Sequence, residues 1–370
     1  MGGRLRVLCL LTCMQVLVGT VAGGGARPPA MYVFGSSIVD VGNNNYLPGE
    51  AVPRANKPFN GIDFPGSIPT GRFSNGYNTA DYVAKKMGFG LSPPAYLSLA
   101  PSSSSGPLVL TALSSGVNYA SGGAGILDST NAGNTIPLSK QLQYFEATKA
   151  KMVAAVGAGA VDAVLKKSVF VVNIGNNDFY VFAAAELARN RSAEDQRRDA
   201  AALNASLVSN YSAAITELYS MGARKFAVVN VWPLGCVPAV RVASPAGACS
   251  GLLNQLAAGF NGAVRSLLAG LAPRLPGLVY SLADFYGFTQ DVLADPGASG
   301  FTDIAGACCG SGRLGGEGEC TTNSTLCTNR DQHVFWDRAH PSQRTTFLAA
   351  QAFYNGPAKY TTPINFMQLA

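Results

Sequence analysis

The stretch Phe34-Gly35-Ser36-Ser37-Ile38-Val39-Asp40-Val41-Gly42-Asn43-Asn44-Asn45 decides how the chain is read. It follows an apolar run, Pro29 to Val33, and together they predict a short buried strand over about residues 30–35. The strand ends at Gly35, where the missing Cβ lets the backbone bend sharply, and two serines follow at once. A serine on a tight turn just beyond a strand is how α/β hydrolases present a nucleophile. Asp40, Gly42 and Asn43–Asn45 add more polar groups than a plain loop needs. By itself the stretch reads more simply as a Gly/Asn/Ser turn; the far end of the chain shifts that balance.

That far end reads Phe335-Trp336-Asp337-Arg338-Ala339-His340-Pro341-Ser342 and holds one of only two histidines, His333 and His340. Pro341 and Ser342 open a predicted helix, which leaves His340 on the loop before it. Asp337 is three residues earlier, a spacing that lets its carboxylate turn back to one imidazole nitrogen while the other faces a serine. The alternative is an Asp-capped turn beside a surface histidine. His333 lacks that spacing to a carboxylate; it and Asp331 read as structural. A hydrolytic serine also needs donors for an oxyanion. Gly123, in Ser121-Gly122-Gly123-Ala124-Gly125, is a candidate through its backbone N–H, with Gly122 and Gly125 as close rivals. Asn177, in Gly175-Asn176-Asn177-Asp178, offers a side-chain amide, and Asp178 reads as holding that loop by accepting N–H bonds.

Between these ends strands and helices alternate. Strands are predicted at 117–120, 168–174, 225–231 and 278–282; helices at 78–87, 138–156, 195–221, 250–271, 285–294 and 342–354. Three stretches, 46–76, 92–107 and 297–332, read as loops rich in Gly, Pro, Ser or Cys. Unbroken apolar strands alternating with helices imply a parallel sheet covered on both faces. Ligands bind such sheets beyond the carboxyl ends of the strands, and the clusters at Ser36–Ser37, Gly122–Gly123 and Asn177–Asp178 all fall there. No linker separates two cores, so residues 27–370 read as one domain.

Composition narrows the function. Of 370 residues, 48% are hydrophobic and 13% charged, which suits a large core and argues against disorder or nucleic-acid binding. The formal net charge is +6, or 6 − 2 = +4 without Arg4 and Arg6, and pairs such as Lys166–Lys167 and Arg197–Arg198 read as solvated faces. Arg4 and Arg6, the apolar run Val7 to Val21 and the small residues after it form a secretory leader over residues 1–26, cleaved after Ala22 or Ala26. No later segment has the roughly 18 uninterrupted apolar residues of a membrane span, so the expectation is a secreted protein with no integral membrane association. Cys9 and Cys13 leave with the leader. Cys236, Cys249, Cys308, Cys309, Cys320 and Cys327 remain, an even set suited to an oxidising compartment. Proximity pairs Cys236 with Cys249, and Cys308/Cys309 with Cys320/Cys327. A zinc site is disfavoured, since no histidine sits at ligand spacing and no CxxC occurs. Sequons begin at Asn190, Asn204, Asn210 and Asn323. There is no GxSxG, no GxxxxGK[ST] and no HExxH; Gly310–Gly315 matches GxGxxG but follows cysteines, not a strand.

Four blocks in order carry a family resemblance: FGSSIVDVGNNN (34–45), GVNYASGGAG (116–125), IGNNDF (174–179) and VFWDRAHP (334–341). With lesser stretches at Leu234–Pro238 and Ala307–Gly310, they make residues 30–356 resemble the plant secreted GDSL-type esterases/lipases, within the SGNH hydrolases. The resemblance implies a flavodoxin-like three-layer α/β/α sandwich with a mainly parallel sheet. It also implies a serine ester hydrolase with nucleophile Ser37, base His340 and acid Asp337, and an oxyanion hole of the Ser37 N–H, the Gly123 N–H and Asn177. No metal or organic cofactor is implied; the expected partner is a small or polymeric ester substrate, with contact to a cell-wall or lipid surface. One departure stands out: the family motif reads Gly-Asp-Ser-Leu where this chain has Gly35-Ser36-Ser37-Ile38. Two rival readings keep part of this picture: an acyltransferase using the same site, and a decayed site that only binds carbohydrate or lipid.

Overall fold

A computed structural model describes residues 27–100, 105–189 and 191–370. The leader at 1–26 with Cys9 and Cys13, the serines 102–104 and the sequon asparagine Asn190 lie outside the described residues. The central sheet has four parallel strands, β1 (Met31–Gly35), β2 (Val169–Asn173), β3 (Lys225–Val229) and β4 (Val279–Ala283), in that order across it. A short strand, Thr361–Thr362, pairs antiparallel on the β4 edge. Every residue of β1 and β2 is buried, which is why both read as continuous apolar runs: a parallel strand between two helical layers has no wet face.

Helices Leu138–Val156, Ala193–Ser220 and Gly251–Leu271 pack on one another as one layer, and Thr79–Lys86, Gln343–Asn355 and Phe366–Leu369 pack as another. This is an α/β fold with a mainly parallel sheet in three layers. Side-chain caps start two of these helices. Asn78 caps Thr79–Lys86 in a reciprocal capping box with Asp81, and Ser342 caps Gln343–Asn355 by accepting from the Thr345 N–H. Among the described residues no helix is long and apolar enough to cross a membrane.

Four expectations need correction. The loop predicted at 297–332 contains a strand, Asp303–Ala307, which pairs parallel with His333–Phe335. The segment 117–120 is not a regular strand; it runs beside β1 through isolated bridges at Asn118, bonding Val33 N–H to Val117 O and Tyr119 N–H to Val33 O. The ladder is not continued past this bridge because the Gly35 N–H, next along β1, donates to the Gln141 side-chain oxygen at 2.8 Å and not to the segment's backbone. Helices also occur where none was predicted, at Gly106–Ser114, Ala158–Lys167 and Asn176–Arg189. Gly157, at φ +84°, ends one helix and begins the next within a single residue, so no loop-like composition marks the break. The long helix begins at Ala193, two residues before its predicted start, with Ser192 as cap.

Counting the bridged segment 115–121 as the second strand in sequence, the spatial order becomes 2-1-3-4-5, the flavodoxin-like arrangement. Its switch point lies between β1 and β2. Chains leaving those two strands diverge there and open a crevice.

Cys236 pairs with Cys249, Cys308 with Cys327 and Cys309 with Cys320. The last two close a small hairpin of Cys309–Gly310 against Thr325–Leu326, and Gly310–Gly315 is part of this stapled loop.

Candidate active site

At the switch point Gly35 ends β1 with φ +155°. A Cβ there would lie 2.3 Å from the Asn173 carbonyl oxygen of β2, so only glycine lets the two strands approach this closely. The Ser36 N–H donates to Asn173 O, and the chain turns so that Ser37 faces the crevice. The Ser37 Oγ lies 2.9 Å from His340 Nε2. Ser36, by contrast, is fully buried, and among the described residues its hydroxyl has no hydrogen-bond partner.

His340 sits between the strand His333–Phe335 and the helix Gln343–Asn355. Its Nδ1 is 2.8 Å from each carboxylate oxygen of Asp337. Asp337 Oδ1 also accepts from the Ala339 and His340 backbone N–H groups, which fixes the turn between acid and imidazole. The Phe73 ring packs on the imidazole with centroids 4.9 Å apart. His333 lies near Asp303, at 3.6 Å, rather than near Ser37.

The glycine rivals separate by their neighbours. The Gly122 N–H donates to Asp40 Oδ2, and a Cβ at Gly125 would meet Thr130 and Asp178 at 2.4–2.5 Å. Gly123 lines the crevice with Ser37 and His340, and among the described residues its N–H has no acceptor. Asn177 stands in the first turn of the helix Asn176–Arg189 and lines the same crevice; its amide donates to Ala124 O at 2.9 Å. Asp178 holds the adjoining loop by accepting from the Ile126 and Leu127 N–H groups and the Thr130 hydroxyl. Burial pushes its carboxyl above the usual range, and these donors oppose the shift.

The crevice encloses about 310 Å³, with Phe73, Tyr180 and Trp232 among its apolar walls and Asn131 and Asn134 among its polar ones. These lining residues carry no sequence signal: Phe73 lies in a Gly/Pro-rich loop and Trp232 just past β3. Asp40 stands out only as a polar residue in an apolar stretch. In the structure it is fully buried and accepts from the N–H groups of Gly42, Asn43 and Gly122. Burial pushes its carboxyl up to about 6 against the pull of those N–H groups and of Arg72.

The family model of the GDSL-like lipases/acylhydrolases matches residues 31–353. The chain belongs to the GDSL lipase/acylhydrolase family. Three GDSL esterases/lipases of Arabidopsis thaliana show its relation to curated members. One is 36% identical and aligns over 93% of this chain and 90% of its own. A second is 37% identical over 100% of this chain and 96% of its own, and a third 38% identical over 94% and 92%. In this GDSL protein the residue before Ser37 is Ser36, where the name of the family spells an aspartate. Its hydroxyl is buried and, among the described residues, unpaired.

Proposed function

We propose that the protein is a secreted carboxylic ester hydrolase that works through an acyl-enzyme on Ser37. The observation that carries this reading is the unbroken chain of contacts from Asp337 to His340 Nδ1, at 2.8 Å, and from His340 Nε2 to the Ser37 hydroxyl, at 2.9 Å. Neutral His340 accepts the hydroxyl proton as Ser37 Oγ bonds to the ester carbonyl carbon. Asp337 keeps the remaining ring proton on Nδ1 and stabilises the imidazolium that forms. The carbonyl oxygen becomes an oxyanion, held by the Ser37 N–H, the Gly123 N–H and the Asn177 amide. Collapse breaks the ester C–O bond, and His340 returns its proton to the departing alcohol. Water, deprotonated by His340, then attacks the acyl-serine; collapse breaks the bond to Ser37 Oγ, which takes the proton back from His340 as the acid is released. Family membership and the open N–H of Gly123 support the oxyanion part of this sequence.

Secretion is supported by the leader pattern of residues 1–26 and by three disulfides in the rest of the chain. The whole of 27–370 then forms the working domain. The test is turnover of a short-chain aryl ester by wild type, Ser37→Ala and His340→Ala. Each variant should lose at least about 1000-fold in kcat, and full activity in either one rejects the assignment.

A further inference from the structure

The peptide joining Gly122 to Gly123 supplies the N–H assigned above to the oxyanion, and both its residues are glycines. Glycine tolerates either sense of the backbone about as readily, so nothing intrinsic to this dipeptide stops its amide plane from turning over. A turned plane would aim a carbonyl oxygen, not an N–H, at the developing negative charge. Something outside the dipeptide must choose the sense.

Asn44 does so. Its Nδ2 donates to Gly122 O at 2.8 Å and to Pro53 O at 2.8 Å, and its Oδ1 accepts from the Ser121 hydroxyl at 2.5 Å. Two carbonyl oxygens on one side and a hydroxyl donor on the other leave one orientation for the amide. Ser121 in turn accepts from the Ile136 N–H, which leaves its own proton for Asn44. The side chain is 1% exposed, so water does not compete for these bonds. In a trans peptide the C=O and the following N–H point to opposite sides. Anchoring Gly122 O on Asn44 therefore turns the Gly123 N–H the other way, where Gly123 lines the crevice with Ser37 and His340. The preceding peptide is anchored separately, through the Gly122 N–H on Asp40 Oδ2.

We infer that Asn44 is a positioning residue for the hydrolytic reaction, setting the sense of the Gly122–Gly123 peptide so that its N–H meets the oxyanion. The inference rests on the acyl-enzyme reading above. It separates Asn44 from its neighbour Asn43, whose amide ties the same loop to Asn118 O and Ala120 O. Asn43 holds the loop; Asn44 orients the donor.

The experiment compares wild type with Asn44→Ala, Asn44→Asp and Ser121→Ala, with Ser37→Ala as reference. For each, kcat and KM on a short-chain ester are measured, with the affinity of an aryl trifluoromethyl ketone, whose serine adduct carries an oxyanion, and the thermal midpoint. Loss of one oxyanion donor costs about 100- to 1000-fold in kcat; a donor that is free to turn costs less, about 10- to 100-fold for the Asn44 variants. Ser121→Ala, which frees only one end of the Asn44 amide, should cost about 3- to 10-fold. KM should change little, and the ketone affinity should fall in step with kcat. Folded Asn44 variants with wild-type kcat and ketone affinity overturn the inference. So does a loss of kcat without a matching loss of ketone affinity. Should both Asn44 variants fail to fold, Ser121→Ala decides by the same two readouts. Full turnover by Ser37→Ala would instead overturn the acyl-enzyme reading itself.

Discussion

The hydroxyls of Ser36 and Ser37 belong to adjacent residues and meet opposite surroundings: one is sealed in the turn with no partner, the other lies 2.9 Å from an imidazole. A buried hydroxyl that makes no bond has lost water without compensation, at a cost of about 1–3 kcal/mol. Ser36→Ala should therefore be neutral or stabilising by up to about 1 kcal/mol and should keep ester turnover within a few-fold; chemical denaturation and steady-state kinetics on the purified variant check both. Asp40 presents the converse case, a buried acid that is fully hydrogen-bonded. Its carboxyl sits near 6 because burial disfavours the charge more than three N–H groups and Arg72 favour it; Arg72 is itself paired with Asp81. The unfolded chain titrates this group near 3.9. Between those values the native state binds more protons, so this group's contribution to stability falls as pH rises from about 4 to about 6, by about 3 kcal/mol in all. Asp40→Asn removes that contribution. Unfolding measured from pH 4 to pH 7 should show a steeper loss in wild type than in the variant, and parallel curves would contradict it.

At the scale of elements, the turn from Asp337 to His340 is supported from outside. The Cys308 and Cys309 N–H groups donate to Phe335 O and Trp336 O, directly before Asp337. Both cysteines are clamped to the far side of their hairpin by disulfides, and the Trp336 indole donates to Asn60 Oδ1 from the long 46–76 loop. Closing a loop of this size stabilises a fold by about 3 kcal/mol. The double variant Cys309→Ser/Cys320→Ser should lower stability by about 2–3 kcal/mol. It should also lower kcat, because the strand carrying Phe335 and Trp336 loses its brace. Kinetics below the unfolding transition separate the two effects; unchanged kcat in the folded variant would show that the turn holds itself. The pairing of neighbouring cysteines was beyond sequence, since proximity along the chain treats Cys308 and Cys309 alike. Cys308 lies just before the hairpin strand, where its carbonyl accepts from the Cys327 N–H beyond Leu326, while Cys309 faces Leu326 within the hairpin and reaches Cys320 in the loop that the hairpin closes.

At the scale of the whole molecule, one aromatic cluster joins the sheet to its covering helix. Phe145, on Leu138–Val156, meets the rings of Tyr32, Phe34, Tyr119 and Phe170 at centroid distances of 5.2, 5.8, 6.0 and 5.5 Å. These rings come from β1, β2 and the bridged segment, the three pieces that end at the crevice. Truncating Phe145 to Ala should cost about 3–5 kcal/mol, seen as a lower denaturation midpoint. Turnover well below that midpoint should change much less, since no ring of this cluster lines the crevice. The four parallel strands and most of the longer helices were legible in the sequence because their signals are local: runs of apolar residues, capping side chains and stopping glycines. The helix Asn176–Arg189 was not, because its first turn, Asn176-Asn177-Asp178, has the composition of a loop and follows Gly175 directly.

What the sequence determined by itself was an alternating α/β chain with a serine and amide donors at the ends of its strands, and an acid and an imidazole on the loop before its last helix. Periodicity and residue chemistry are properties of neighbours, and neighbours suffice to read them. The tertiary structure decided which hydroxyl meets His340, that Gly122 is committed to Asp40 while Gly123 is left open, and how the cysteines pair. Those choices depend on contacts such as Asp40 to Gly122, across 82 residues, and Ser37 to His340, across 303. Such contacts exist only once the sheet has ordered its strands and brought the loops beyond β1 and β2 to one rim.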